Sequence, residues 1–525
     1  MLNRTWREQT WTDIDQPWDI IVIGGGITGA GIFNMAARKG LRVLLVEARD
    51  FAFGTSSRSS KLIHGGIRYL RNQQFDVVRE SVKERERLLR ESDGLIDPLA
   101  FIFPSYETQT HETKLMRFGV ILYDLLGIKW QHSNLNSNQV IQALPGLNHD
   151  QLIGGVEYFD ACVDDSQLVL RVIMDGIRFG GNAINYARVI NLCKAKSSKV
   201  EGVILQDETG ARKPSQVELR SKVVINATGP WSDELRKNVD GQPKLRRLRG
   251  SHLIFSQEKL PIRAALTLLH PRDNRAMFAI PWENRTIIGT TDLDHDLQED
   301  ETRITKSELE YIMEAVHHVF PKFDISESDI ISTFSGLRPI INTNAPTPSL
   351  ESRAHCIWEE DGLVSIAGGK LTIFRVMAAD MLNFCCEKYS KPIKFTPHTD
   401  CFVHPMPPST HNLEKPNWLM MAGRLGKEVN AFYEDSDPEL LKPITPMPAL
   451  WAELVWAAKN EAVIHLDDLL LRRVRFGVLM PNGGLDDIER IRGLVQQPLR
   501  WSDETWSNET KRYEKIWREN YFLPS

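Results

Sequence analysis

Little in this chain points to a metal, a disulfide or a bilayer. Six of its 525 residues are cysteine (Cys162, Cys193, Cys356, Cys385, Cys386 and Cys401). None stands in a C-x-x-C pair or a His-spaced cluster, so neither a zinc site nor a redox dithiol is indicated, and reduced cytoplasmic thiols are expected. No unbroken apolar run approaches the ~20 residues that span a bilayer. Residues 1–18 carry Arg4, Arg7, Glu8, Asp13 and Asp15 with no apolar core, which rules out a secretory signal. Charge of one sign is also missing: 64 basic against 69 acidic residues leave −5, which excludes a generally polyanion-binding or nucleic-acid-coating protein. No internal repeat is visible.

What is present is enough apolar and charged material for a folded, water-soluble, enzyme-sized body, and the length predicts roughly three domains at about 150 residues each. Asp19-Ile20-Ile21-Val22-Ile23 reads as a buried parallel strand running into Gly24-Gly25-Gly26-Ile27-Thr28-Gly29, followed by a helical pattern. Gly24 suits the tight turn, Gly26 lets a pyrophosphate approach the backbone, and Gly29 lets the helix pack on the strand. The N–H groups at the helix start face the anion. A second strand, 41–46, ends at Glu47, where a carboxylate can take the hydrogen bonds of a ribose and disfavours a 2′-phosphate. The dinucleotide is therefore FAD or NAD rather than NADP.

Three later segments fit around such a ligand. Thr55, Ser56, Ser57, Ser59 and Ser60 place five hydroxyls in six residues, short donors that can wrap a pyrophosphate and ribityl chain, and Gly65-Gly66 allows the backbone close to a flat ring. The strand 223–226 ends in Ala227-Thr228-Gly229. The strand 362–367 ends in Gly368-Gly369-Lys370-Leu371-Thr372, a second helix start whose N–H donors and lysine suit a ring that gathers negative charge on reduction.

The ordered series G-G-G-I-T-G-A-G, T-S-S-R-S-S-K-L-I-H-G-G-I-R-Y-L, V-D-D-S-Q-L, N-A-T-G-P-W, G-S-H-L-I-F, I-P-W-E-N-R-T-I-I-G-T-T-D, S-G-L-R-P and G-G-K-L-T resembles the FAD-dependent glycerol-3-phosphate dehydrogenases from about Asp19 to Arg375. K-L-I-H-G-G-I-R-Y is its most specific piece. The resemblance implies an α/β fold in which a glutathione-reductase-like, Rossmann-type FAD domain is interleaved with an antiparallel-sheet substrate domain, followed by an all-helical C-terminal domain. The division expected is 1–95, 151–235 and 330–390 for FAD, 96–150 and 236–329 for substrate, 391–448 as a linker rich in proline, and 449–525 as the helical domain.

It further implies oxidation of sn-glycerol 3-phosphate to dihydroxyacetone phosphate by hydride transfer to flavin N5. Electrons pass to a membrane quinone, with the protein peripheral on the cytoplasmic face of the inner membrane. An oxidase passing electrons to oxygen, an amine or amino-acid oxidase of the same fold, and a non-catalytic flavin-bound module are the alternatives. A homodimer stays open.

Alcohol oxidation needs a base for the hydroxyl proton. His64, with an ordinary pKa of about 6.5, is the candidate. A phosphate monoester calls for guanidinium forks, and Arg68 and Arg338 are the candidates, with Tyr69 and Lys370 completing the pocket. Arg275 is a weaker one. Asp164-Asp165 precedes an apolar helix and reads as its cap rather than as an acid/base pair. His252 reads as structural, and Thr290-Thr291-Asp292 as a strand end and turn. The family usually continues G-G-K-L-T with a threonine and a tyrosine, where Ile373 and Phe374 stand here. Residues 114–130 read as an apolar helix with basic ends, suited to a lipid interface or to the core. Trp501, Trp506, Tyr513 and Trp517 read as core anchors or as an exposed partner stripe.

Overall fold

The apolar run read as the first strand forms Trp18–Ile23, with Ile20, Ile21 and Val22 fully buried. It pairs in parallel with Val43–Val46 on one side and Gln216–Asn226 on the other. Leu363–Gly368 and Asn182–Ile184 extend this sheet in parallel, and His355–Glu360 closes one edge antiparallel. The helices Ile27–Arg38, Asp165–Arg178 and Phe374–Phe384 pack over it around a core that includes Phe33, Val172 and Met381. Continuous burial on both faces explains why these strands read as unbroken apolar runs. The structure, a computed structural model, describes residues 1–66, 75–109, 119–120, 123, 132–295, 302–345, 351, 353–386, 393–398, 400–404 and 415–524.

A second, mostly antiparallel sheet joins Leu245–Ser256, Arg285–Gly289, Ala276–Trp282, Ala265–Leu269, Ile96–Tyr106 and Leu152–Val163. The long strand Ile330–Ile341 pairs along Leu245–Phe255. One face carries the helix Lys306–Val319, and the other carries the C-terminal helices. The strands Leu152–Val163 and Ile330–Ile341 thus lie in this sheet, where the expected division had placed them in the nucleotide-binding part. Their local patterns carry no mark of the partner that claims them, and that partner is set by long-range register.

The expected linker also needs correction. It contains the helices Lys415–Leu425 and Val429–Asp435. Met421, Leu425, Val429 and Phe432 share a core with Leu450, Ala452 and Trp456 of the following segment. Pro416 falls in a first helical turn, where it removes no hydrogen bond, and Pro438 opens the short 3-10 turn Pro438–Leu440. Downstream, Trp506, Tyr513 and Trp517 are buried anchors, with the Trp517 indole donating to the Gly477 carbonyl at 2.6 Å. The interfacial-helix reading of 114–130 falls outside the described residues except at Gly119, Val120 and Tyr123. Among the described residues no helix is long and apolar enough to cross a membrane.

The C-terminal segment is tied to the nucleotide-binding sheet by buried charge. Asp50, fully buried, accepts from Arg473 at 2.7 and 2.8 Å and from Arg472 at 2.5 Å. Arg475 bonds both Asp164 and Asp165, and Lys61 reaches Asp165 at 2.9 Å. Asp164 caps its helix as expected, accepting from the N–H groups of Ser166 and Gln167.

Breaking such a buried pair from one side costs about 3–5 kcal/mol. Asp50→Ala is therefore expected to lower the thermal unfolding midpoint sharply. Burial pushes the nearby Glu461 carboxyl up to about 7. The folded state then binds the extra proton between pH 4.5 and 7, so this group's contribution to stability is lost as pH rises through that range. Glu461→Gln is expected to flatten stability against pH over that window, measured by unfolding at a series of pH values.

Candidate active site

The glycine turn leaves the first strand with Gly24 at φ +113, and a Cβ on Gly29 would lie 1.9 Å from the Gly24 carbonyl oxygen, so strand end and helix touch through backbone alone. The helix starts at Ile27, whose N–H donates to Ser56 Oγ at 3.0 Å. That hydroxyl accepts from the helix and keeps its own proton to donate into the cavity. Glu47, at the end of the second strand, accepts from the Gly25 N–H at 2.7 Å and the Arg49 N–H at 2.8 Å. Burial raises its pKa against the pull of these two donors.

These groups line one end of a cavity of about 650 Å³. Gly24, Gly26, Glu47, Thr55, Ser56, Ser60, His64, Ala227, Thr228, Gly229, Arg338, Gly368, Gly369, Lys370, Leu371 and Thr372 all lie on its wall. The volume suits a cofactor site, and the wall runs from an acid, past a glycine turn at a helix start, to a lysine and two imidazoles. A Cβ built on Gly229 meets nothing within 4 Å, so open space lies directly against that backbone. The donor set fits an extended dinucleotide: acid for a ribose, turn and Ser56 for phosphates, and the Gly368–Thr372 segment for the far ring.

The hydroxyl-rich run lines the cavity through Thr55, Ser56, Ser59 and Ser60, and several of its hydroxyls are also engaged by the protein itself. Thr55 donates to the Leu337 carbonyl, Ser59 to Asp165 at 2.7 Å, and Ser60 pairs with His252 Nε2 at 2.8 Å. Ser57, expected at the cofactor, is buried and turned back toward the Phe53 and Gly54 carbonyls. A short polar side chain satisfies nearby backbone first, and composition cannot distinguish that from a ligand contact. Arg68 and Tyr69 lie outside the described residues.

At the far end, the Arg338 guanidinium donates to Asp292 Oδ1 at 2.9 Å, to Thr290 Oγ1 at 3.0 Å and to the Thr291 carbonyl at 3.2 Å. Arg275 and Arg353 also approach Asp292, each at 3.6 Å. Three guanidinium groups thus gather on one buried carboxylate. The segment read as a mere strand end and turn is the seat of the arginine, and Arg353, which the sequence reading passed over, joins it on the cavity wall. Its only signal was an isolated basic residue before a strand.

His252, read as structural, also reaches the wall. It stacks on Phe334 at 4.4 Å, and burial, with Arg338 and Lys61 nearby, holds its pKa well below the usual value, so its imidazole is neutral. Lys370 donates to Ser81 at 2.9 Å and to the Gly65 carbonyl at 3.3 Å. Ile373 and Phe374 are buried in the core, and a Cβ on Gly31 would come within 2.9 Å of the Phe374 ring.

The family model described as FAD dependent oxidoreductase matches residues 19–374, and that of the C-terminal domain of alpha-glycerophosphate oxidase matches 404–506. The chain belongs to the FAD-dependent glycerol-3-phosphate dehydrogenases. It is 33% identical over 488 residues to the aerobic glycerol-3-phosphate dehydrogenase of Staphylococcus haemolyticus, covering 87% of each chain. It is 34% identical to glycerol-3-phosphate dehydrogenase 2 of Mycobacterium bovis, over 95% of this chain and 88% of that one. The solved glycerol-3-phosphate dehydrogenase of Bacillus halodurans, complexed with FAD, superposes with a TM-score of 0.78 at 26% identity, covering 99% of this chain and 98% of that one. As a family member the protein is an oxidoreductase with FAD as its cofactor. The C-terminal model begins at 404, inside the segment expected as linker, in keeping with the helices found there.

Glu47 is expected to grip the ribose only while both its oxygens stay fixed by backbone. Glu47→Gln turns an NH₂ toward one of those N–H groups and should weaken FAD binding about tenfold or more. Titration of the apoprotein with FAD, followed by flavin fluorescence, measures this.

Proposed function

We propose that the protein oxidises sn-glycerol 3-phosphate to dihydroxyacetone phosphate. The observation that carries this reading is the arginine cluster at the far end of the dinucleotide cavity. Arg338, oriented by Asp292 and Thr290 and flanked by Arg353 and Arg275, brings a planar guanidinium fork to bear on a multiply charged anion such as a phosphate monoester. FAD, when bound, would supply at its flavin N5 the acceptor for the hydride that carries both electrons from the alcohol carbon, while the hydroxyl proton is left to the protein. The chain supplies binding, orientation and the proton path. Arg338, with Arg68 and Tyr69, holds the phosphate, and His64 takes the hydroxyl proton or orients the hydroxyl. Lys370, beside the Gly65 carbonyl, brings positive charge to the reacting end.

The cofactor positions carried into this reading are Gly24, Gly26, Gly29, Glu47, Ser56, Ala227, Thr228, Gly229 and Gly368 to Thr372. The acceptor in this reading is a membrane quinone, reached by peripheral attachment to the cytoplasmic face of the inner membrane, and family resemblance is its support. Oxygen as acceptor is the second reading, favoured by the oxidase C-terminal model that matches 404–506. Turnover with a ubiquinone analogue compared with turnover in air separates the two.

Anaerobic addition of glycerol 3-phosphate to the yellow holoenzyme is expected to bleach the flavin, and a flavin that stays yellow overturns the proposal. Arg338→Ala removes a charged hydrogen-bonding partner worth about 1.5–3 kcal/mol. It should raise the KM for glycerol 3-phosphate by tenfold or more, with amino acids remaining inert as substrates in a steady-state assay.

A further inference from the structure

The turn His64–Gly65 is held in an unusual way: each of its four main-chain polar groups is taken by a side chain. The His64 N–H donates to Thr372 Oγ1 at 3.2 Å, and the His64 carbonyl accepts from the same hydroxyl at 3.2 Å. The Gly65 carbonyl accepts from Lys370 Nζ at 3.3 Å. The Gly65 N–H faces two acceptors, Tyr123 Oη at 2.7 Å and Asp160 Oδ1 at 3.2 Å.

Behind the turn these acceptors form a closed buried unit. The Tyr123 phenol donates to Asp160 Oδ1 at 2.5 Å, and Arg85 donates to the same oxygen at 2.6 Å. The Arg85 guanidinium also lies 5.1 Å over the Tyr123 ring. Tyr123 is 1% exposed and Asp160 4%. There is no slack between this unit and the turn, because a Cβ on Gly65 would stand 2.4 Å from the phenol oxygen and 2.4 Å from Val82. A buried ion pair often contributes no more to stability than apolar residues of the same volume. Its presence directly behind a cavity wall therefore points to a geometric duty.

We propose that Tyr123, oriented by the Asp160–Arg85 pair, is a positioning residue that fixes the His64–Gly65 turn in the cavity wall, and through it the His64 imidazole relative to the substrate alcohol. The phenol never touches substrate. It acts through the Gly65 amide, which it holds while Lys370 holds the carbonyl of the same residue. The role of His64 in this inference rests on the functional reading above, whereas the hold on Gly65 stands independently of it.

The test is Tyr123→Phe in the full-length holoenzyme, which removes the oxygen and keeps the ring. A misplaced reacting group costs up to about a hundredfold in rate. The variant is expected to lose tenfold to a hundredfold in kcat, with KM for glycerol 3-phosphate and flavin content unchanged and the thermal midpoint lowered by only a few degrees. Hydrogen exchange read by mass spectrometry is expected to quicken at least tenfold in the peptide containing Gly65 and to stay unchanged in the peptide containing residues 24–29.

Unchanged exchange at Gly65, or kcat falling only together with flavin content and thermal midpoint, overturns the proposal. Should Tyr123→Phe fail to fold, Arg85→Lys keeps the charge but loses the fork and must give the same split, smaller in size; an unsplit loss overturns it equally. His64→Asn in the same assays separates the two claims. Full activity in that variant removes the role of His64, and the exchange measurement alone then decides the hold on Gly65.

Discussion

Three arginines within one short stretch, Arg472, Arg473 and Arg475, meet the carboxylates Asp50, Asp164 and Asp165, and the rest of the molecule is arranged around that buried exchange of charge. Arg475 also donates to the Ser57 carbonyl, so the loop beneath the glycine turn is braced from the far end of the chain. The stretch itself coils as a π-helical turn, Asp468–Arg473, a form that widens the backbone and lets neighbouring arginines spread to different partners. The C-terminal helices are by this measure part of the frame that carries the cavity rather than an appended module. Their docking onto the second sheet supports the same view, with Ser332 donating to the Val478 carbonyl and the Thr333 N–H to that of Tyr521.

The cavity lies where two kinds of sheet meet. The parallel sheet contributes strand ends and a helix start, which bring backbone dipoles and little side-chain specificity. The antiparallel sheet contributes His252 from Leu245–Ser256, Arg338 from Ile330–Ile341 and Thr290 just past Arg285–Gly289, which bring charged and polar side chains and little backbone reach. A cofactor shared by many chemistries can thus be held by one half, while the substrate is chosen by the other.

Much of the parallel half was legible from residues alone, because its signals are local. A strand, a glycine turn, a helix and an acid follow one another within 30 residues, and Gly24 and Gly29 take the turn and the close helix–strand contact read for them. The arginine cluster was half legible. Arg338 stood out as a guanidinium fork within S-G-L-R-P, but Asp292 looked like a turn and Arg353 like nothing, since both acquire meaning only when three distant segments converge. The serine run was half legible for the opposite reason: Thr55, Ser56, Ser59 and Ser60 do line the cavity, yet composition gave no sign that Asp165, His252 and the Leu337 carbonyl also engage three of them. The true limits of the second sheet were hidden because a strand's pattern records its burial and not its neighbour. Ile373 and Phe374, which depart from the family pattern, prove to be core residues, which explains how the two hydroxyls can be absent without opening the fold.

Gly250 lies across the strand pair from Gly336, and any Cβ there would stand 2.5 Å from both terminal nitrogens of Arg338. The guanidinium therefore rests flat on bare backbone, and the two positions form one unit of evolutionary change. A side chain at 250 would have to displace both the arginine fork and the Thr290 hydroxyl that seats it, so the glycine leaves room for the pair together. Across related sequences a small residue at position 250 and a long cation at position 338 should be inherited as a couple.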